Sequence, residues 1–327
     1  MPQPIYLDLT AGTPRPTSPP QRAVLCLGNF DGVHLAHQAL LREGVRLASL
    51  LSTEAADERV LCGVFCFFSP SVDYLPHTDD QSARHLTCLR DKLARFAAAG
   101  VDFVCLCNFR AVRDLPPAAF MTLLQESCRC EGIVCGFNYR FGKCAAGTPA
   151  DLVAAFGAER VVIMPEIKRG DETVSSSRIR AALLRGEAEV AADLLGRPYS
   201  LCTTVTGGKR LGRTIGFPTA NQYFLPESLI PAHGVYVARC HTPEGVFSGV
   251  ANVGCHPTVD AHARVNCETY ILDFEGDLYG RRMETELLYR LRPEQKFADL
   301  DTLVDAIRAD ADQARRYIAE HVANGQP

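Results

Sequence analysis

The chain has 327 residues, of which 47% are hydrophobic and 22% charged, with a formal net charge of −4 at neutral pH. That length fits two domains better than one, and the charge balance gives no footing for a nucleic-acid or polyanion surface. No apolar run reaches membrane-spanning length, and the opening MPQPIYLDLT lacks the basic and apolar regions of a signal peptide, so a cytoplasmic location without membrane attachment is expected.

Up to about residue 190, strand and helix patterns alternate. Short apolar runs predict strands over Ala23–Leu27, Val60–Phe68, Val101–Cys107, Gly132–Cys135 and Val161–Met164. Helical spacing fills the gaps at Gln38–Leu51, Leu86–Ala99, Ala118–Ser127 and Pro149–Phe156, the last with Thr148-Pro149 as cap and first helical residue. Buried strands separated by helices imply a parallel sheet covered on both faces, which takes ligands at the carboxyl ends of its strands. The chain holds 14 cysteines but no CxxC pair, and most lie inside apolar runs such as RVLCGVFCFF. They read as small hydrophobes of a reduced core.

The first strand runs into GNFDGVHLAHQALL, residues 28–41. His34 and His37, three apart at a helix start, share one face and add imidazole donors to the unpaired N–H groups there. Two surface histidines would show the same spacing. The turn Gly28-Asn29-Phe30-Asp31-Gly32 favours the other reading, a grip on a phosphate whose charge grows during transfer. A second stretch, VSSSRIRAALLRG (174–186), is a serine-capped helix ending at Gly186. Arg178 and Arg180 in its first turns oppose the helix dipole, and either an anion resolves the conflict or the pair is merely tolerated. Two other nucleotide motifs are excluded. No GxGxxG follows the first strand, and GFNYRFGKC has five spacers where a P-loop has four, with cysteine in place of Ser/Thr.

From about residue 200, alternating strands and turns take over: SLCTTVTG, GVYVARCHT, GVFSGVANVG, VNCETYILDF, an EGD hairpin turn, then METELLYRL. This predicts an antiparallel barrel or sandwich. Leu300, Leu303, Ile307, Ala311, Ala314 and Ile318 then recur at helical spacing, so a long amphipathic helix closes the chain. The domain boundary is expected in LLGRPY, with domains at 1–196 and 197–327. The stretch TGGKRLGRTIGFPTAN (206–221) brings Gly207, Gly208, Lys209, Arg213 and Gly216 together with Thr219 and Asn221. It is either a phosphate cradle with oxygen ligands for Mg²⁺ or an ordinary long hairpin loop. Glu268, Tyr270, Leu272 and Phe274 alternate along one strand face. A carboxylate among apolar groups there suits a general base, and the alternative is a surface glutamate on an edge strand.

Taken in order, GNFDGVHLAHQALL, GFNYRFGK, SSSRIR, LLGRPY, GRTIGFPTAN, GVANVGCHPTV, ETYILDFEGDLYG and LRPEQKF resemble the prokaryotic bifunctional riboflavin kinase/FMN adenylyltransferases, the FAD synthetases, over nearly the whole chain. The resemblance implies an α/β fold in two parts: an N-terminal Rossmann-like nucleotidyltransferase domain with a parallel sheet, and a C-terminal antiparallel β-barrel riboflavin-kinase domain with a closing helix. It implies ATP as co-substrate, Mg²⁺, and riboflavin, FMN and FAD as substrate, intermediate and product. On matching positions, His34 and His37 hold the ATP α-phosphate, and Gly28, Asn29, Phe30 and Asp31 form the nucleotide turn. Asn138 faces the transferred group, and Ser175, Ser176 and Arg180 hold pyrophosphate. In the kinase half Thr219 and Asn221 hold Mg²⁺-ATP, Glu268 matches the catalytic base, and Arg292 borders the flavin. Three places depart from the family pattern: Ala36 replaces the glycine of HxGH, SPSVDYLP stands for a PHP-like loop, and GKCAAGT lacks the usual arginine and aspartate. The alternatives are an active kinase with an altered nucleotidyltransferase domain, and a flavin-binding regulator without turnover.

Overall fold

The computed structural model describes residues 3–8, 15–16, 22–54, 59–67, 84–208, 211–255 and 265–321. The described residues divide into two compact units. One runs to Val174 apart from Arg84, and the other comprises Arg84 and the chain from Ser175.

In the first unit the strands are β1 (Gln3–Asp8), β2 (Arg15–Pro16), β3 (Ala23–Leu27), β4 (Leu61–Phe67), β5 (Phe103–Cys107), β6 (Cys130–Gly136) and β7 (Val161–Met164). They form one sheet in the order β2-β1-β5-β4-β3-β6-β7. Every pairing is parallel except β1 with β2. The helices are α1 (Leu35–Glu54), α2 (Leu89–Ala98), α3 (Phe109–Val112), α4 (Pro117–Thr122) and α5 (Pro149–Phe156). Successive side chains of a strand go to opposite faces, so the sheet carries two cores. Ala23, Leu25 and Leu27 join Phe120, Leu124 and Leu152 on one face. Val24 and Cys26 join Leu41, Leu47 and Phe96 on the other. The capping box at Thr148 is present: its N–H and hydroxyl both donate to Asp151 at 2.8 Å.

Several expected bounds shift. The strand expected from Val101 begins at Phe103, and the helix expected from Leu86 begins at Leu89. The helix expected over Ala118–Ser127 splits into α4 and a π-helical turn at Leu123–Ser127. The edge pair β1 and β2 was not anticipated. Residues 69–76, the SPSVDYLP stretch, and Phe68 lie outside the described residues. A short antiparallel pair, β8 (Lys168–Arg169) with β9 (Glu172–Thr173), ends this unit.

The second unit begins with α6 (Ser176–Arg185) and α7 (Ala188–Leu195). Both helices end on a glycine in the left-handed region, Gly186 and Gly196. The strands β10 (Tyr199–Thr204), β11 (Thr219–Tyr223), β12 (Gly234–Thr242), β13 (Gly245–Cys255), β14 (Val265–Ile271) and β15 (Arg282–Arg292) form an antiparallel sheet in the order β10-β15-β12-β13-β14-β11. The two helices pack onto this half of the chain: α7 lies against β10 and β15, and the Leu183 carbonyl accepts from Ala232 N–H at 2.9 Å. Packing therefore divides the chain before Ser175, ahead of the division expected at 196/197. Between the two ends of the sheet, the buried Gln222 carboxamide donates from β11 to the Thr203 carbonyl at 3.1 Å and to the Met283 carbonyl at 2.7 Å. Thr285 Oγ1 donates to its oxygen at 2.6 Å. A short helix α8 (Leu211–Thr214) lies in the loop before β11, and α9 (Leu300–His321) closes the chain.

Two expectations are corrected here. The EGD turn is not a hairpin, because β14 pairs with β11 and β13 while β15 pairs with β10 and β12. The alternating face from Glu268 also stops at Tyr270. The strand ends at Ile271, Asp273 takes a left-handed φ of 55°, and Leu272 enters the core under α9. That core gathers Val235, Val237, Val250 and Leu288 against Ala311 and Ala314, whereas Leu300, the first residue of α9, is exposed.

Candidate active sites

The sheet order makes a crevice in the first unit. The chain leaves β3 for β4 on one side and later returns to β6 on the other, so the loops after β3 and β6 exit from adjacent strands at the carboxyl edge. The loop after β3 is the GNFDGVH turn. Phe30, Gly32 and Val33 all take positive φ, at 53°, 83° and 43°. Such a run is strained for side-chain-bearing residues, and Gly32 relieves it at the centre. Phe30 is fully buried, stacking edge-on against Phe96 of α2 at 5.4 Å and lying 5.1 Å from the His37 ring. It braces the histidine from within the core. Asp31 is 1% exposed, and its carboxylate accepts from Leu86 N–H at 3.0 Å and Thr87 N–H at 3.3 Å, with His85 Nδ1 at 3.9 Å. Its charge is spent on the backbone that leads into α2. Asn29 alone of the turn is exposed, and its carbonyl accepts from Lys92 Nζ at 2.9 Å. Gly28 lies under the Phe30 ring.

His34 and His37 are not two residues of one helical turn, as the spacing suggested. α1 starts at Leu35, so His34 is its cap, and His34 Nδ1 accepts from His37 N–H at 3.4 Å. An accepting Nδ1 leaves the ring proton on Nε2, as a donor. The two rings stack at 3.6 Å with a 15° tilt. Burial, then the neighbouring His34, then Lys92 hold the His37 pKa well below the ordinary imidazole range. Its Nδ1 is covered and has no hydrogen-bond partner among the described residues. Ala36 lies in regular helix between the two, where a methyl group causes no backbone strain. Stacked imidazoles, helix N–H groups and a buried ammonium together suit an anion that gains charge during reaction. Asn138 is exposed in the turn after β6, at the same sheet edge.

Ser175, Ser176 and Arg180 belong to the second unit. Ser175 caps α6, its Oγ accepting from Arg178 N–H at 3.3 Å, as the serine run predicted. The Arg180 Nε donates to the Arg84 carbonyl at 2.8 Å, which gives that side chain a fixed direction.

The barrel site centres on β11 and β14. Asn221 lies opposite Glu268, and Thr219 opposite Tyr270, so all four share a sheet face. On the other side of β14, Asn252 of β13 is the cross-strand neighbour of Glu268. Asn266, which nothing in the sequence pattern had singled out, is buried and joins the two key groups. Its amide donates to Asn221 Oδ1 at 3.0 Å and to Glu268 Oε1 at 3.3 Å. The sequence signal for it is register: two residues before Glu268 is the same face. The backbone at Gly208 lies so close to the Asn221 amide that a Cβ would sit 2.8 Å from its nitrogen. A cavity of about 440 Å³ opens here, lined by Gly208, Pro218, Thr219, Asn221, Asp277 and Tyr279. Gly207 and Gly216 are exposed in the same loop. Lys209 lies outside the described residues, as does the side chain of Arg213. The Arg292 guanidinium is held by Asp310 of α9, with contacts of 2.8 to 3.2 Å, and stands over the Phe297 ring at 5.5 Å.

Thr219 Oγ1 and Asn221 Oδ1 are hard oxygen donors, the kind Mg²⁺ takes alongside nucleotide phosphates. No cluster of three or more His, Cys, Asp or Glu suited to a metal occurs among the described residues.

A parallel α/β unit with a phosphate-type turn at its switch point, joined to a barrel with a Thr-Asn-Glu face, defines a two-part nucleotide-using transferase. The FAD synthetase family model matches residues 17–178 and the riboflavin kinase model residues 195–318. The bifunctional riboflavin kinase/FMN adenylyltransferase of Escherichia coli K12 is 37% identical over 308 residues, covering 92% of this chain and 94% of its own length. That of Listeria monocytogenes is 34% identical over 299 residues, covering 91% and 93%. The chain belongs to the bifunctional riboflavin kinase/FMN adenylyltransferase family. A crystal structure from Streptococcus pneumoniae, named as a macrolide-efflux protein, matches 95% of this chain and 98% of its own, with 30% identity and a TM-score of 0.81. No described helix of the present chain is long and apolar enough to cross a membrane.

Proposed function

We propose that the two units carry the two successive steps from riboflavin to FAD. In the barrel, Glu268 accepts the proton of the ribityl 5′-hydroxyl as that oxygen attacks the γ-phosphate of ATP, the bond to the β-phosphate breaks, and ADP leaves. Asn266 holds the carboxylate, Thr219 and Asn221 would hold the Mg²⁺ that comes with the nucleotide, and the glycine loop would cradle the phosphates. When bound, the ion supplies charge to the transferring phosphoryl group. In the α/β unit, the FMN phosphate attacks the α-phosphate of a second ATP and pyrophosphate leaves. The nucleophile is already an anion, so no strong base is required, and positioning with charge stabilisation supplies the acceleration. His34, donating from Nε2, and the first N–H groups of α1 receive the charge that builds on the α-phosphate. Asn138, at the same edge, faces the acceptor. Flavin is substrate and product, not a redox cofactor.

The observation that carries the reading is the placement of Asn221, Asn266 and Glu268 in one bonded row on β11 and β14. The test is incubation with riboflavin, ATP and Mg²⁺, with the flavins resolved by chromatography. FMN followed by FAD is expected. Glu268→Gln should slow riboflavin phosphorylation by about a hundredfold or more while leaving FMN-to-FAD conversion intact. His34→Ala should do the reverse, at a cost of about a hundredfold. A Glu268→Gln enzyme that still phosphorylates riboflavin at the wild-type rate would remove the assigned base.

A further inference from the structure

Lys92 is a buried lysine beside the turn after β3. It lies on α2, is 4% exposed, and donates to one acceptor, the Asn29 carbonyl, at 2.9 Å. An ammonium has three N–H donors, and this one makes no ion pair among the described residues. Burying a charge without a counter-charge is costly, and folds retain such a group where something else repays it. Asp91, the adjacent acid, is turned to the Cys88 thiol instead, at 3.2 Å. Asp31, the buried acid of the turn, is taken by the N–H groups of Leu86 and Thr87.

The position is informative. One helical turn on, Phe96 packs edge-on against Phe30, so α2 is seated directly on the nucleotide turn. The charge of Lys92 disfavours the His37 cation and opposes the burial that raises the Cys66 thiol. Bonded to the Asn29 carbonyl two residues past β3, the ammonium lies at the carboxyl edge of the sheet, in the turn that leads to His37, whose Nδ1 is covered and unpartnered among the described residues. The neutral His37 imidazole brings hydrogen bonds to a phosphate but no net charge.

We propose that Lys92 is a positioning residue for the polyphosphate substrate of the α/β unit. Through the Asn29 carbonyl it fixes the turn, and its charge supplies a permanent positive potential beside the neutral His37. The inference rests on the adenylyltransfer reading of this unit. It predicts that the uncharged protein is at least as stable but binds the charged nucleotide less well.

The test uses the full chain with Lys92→Met and Lys92→Gln, the second keeping a donor for the Asn29 carbonyl. KM for ATP in FMN adenylylation should rise about tenfold or more in both, the scale of one charge-assisted contact. Inhibition of the same reaction by adenosine, which carries no phosphate, should change less than twofold, and riboflavin phosphorylation should be unaffected. The thermal midpoint of the nucleotide-free protein should hold or rise. A lowered midpoint in Lys92→Met with full recovery of KM in Lys92→Gln would overturn the proposal, leaving a structural pin. So would equal weakening of adenosine and ATP. His34→Ala serves as the separate control: if it leaves adenylylation intact, the reading of the site fails, and not only the role of Lys92.

Discussion

A histidine is often read as a candidate proton carrier, but the packing of His37 argues for another use. Burial, the stacked His34 ring and the Lys92 ammonium all disfavour its cation, so the folded protein holds it neutral where an unfolded chain would protonate it. Linkage sets the sign. A histidine whose folded pKa is depressed contributes stability that is complete above its unfolded pKa. That stability is lost as pH falls below the ordinary value of 6.5. Urea unfolding of the α/β unit at pH 7.5 and at pH 5.5 should show the wild type losing stability on acidification, and His37→Gln should lose measurably less. An identical loss in both would place the acid sensitivity elsewhere. His34 could not have been assigned its role from spacing. The sequence places two histidines three apart, and only the helix start at Leu35 makes one the cap of the other.

Elements are held in place by groups that look functional in the sequence. Asp31 sits in the motif most suggestive of chemistry, yet its carboxylate fastens Leu86 and Thr87, the approach to α2. Asp31→Asn retains the size but replaces an acceptor with a second set of donors facing backbone N–H groups. It should cost about 2–3 kcal/mol of stability in the α/β unit, the scale of hydrogen bonds to a charged group, measurable by urea unfolding. Because α2 carries Lys92 and Phe96 onto the turn, adenylylation should fall with it while riboflavin phosphorylation persists. The helices and strands of this unit were legible because their periods differ and each strand is buried on both faces. The β14–β15 connection was not legible as a crossover. Two strand-like runs around a Glu-Gly-Asp turn have the local chemistry of a hairpin, and what overrides it is non-local: β15 pairs along its length between β10 and β12. Lys92 escaped notice for a related reason. It occupies a position of an amphipathic helix where burial is decided by the loop it meets, not by its own neighbours in sequence.

At the scale of the molecule, the cysteines test whether both cores pack as described. All 14 are free thiols, and only Cys144 and Cys255 are exposed. Thiolate is the reactive form, and burial opposes it in both units. In the α/β unit desolvation pushes Cys66 and Cys135 up to about 11 and Cys107 up to about 12. In the barrel it does the same to Cys240 and Cys267, each up to about 12. Even half-buried Cys88 is pushed up to about 11, burial being the largest cause. These groups fill space that a larger residue would overpack: a Cβ on Gly44 of α1 would meet the Cys26 sulfur at 2.2 Å. Iodoacetamide at pH 7.5 should therefore alkylate Cys144 and Cys255 rapidly in the native protein and the buried thiols only after unfolding, as peptide mass mapping would record. Because each unit has its own core, urea should release the two sets of buried thiols along with the loss of the corresponding activity, adenylylation with Cys66, Cys107 and Cys135, phosphorylation with Cys240 and Cys267. Rapid native labelling of Cys66 or Cys267 would mean that the core around it opens far more readily than its packing allows.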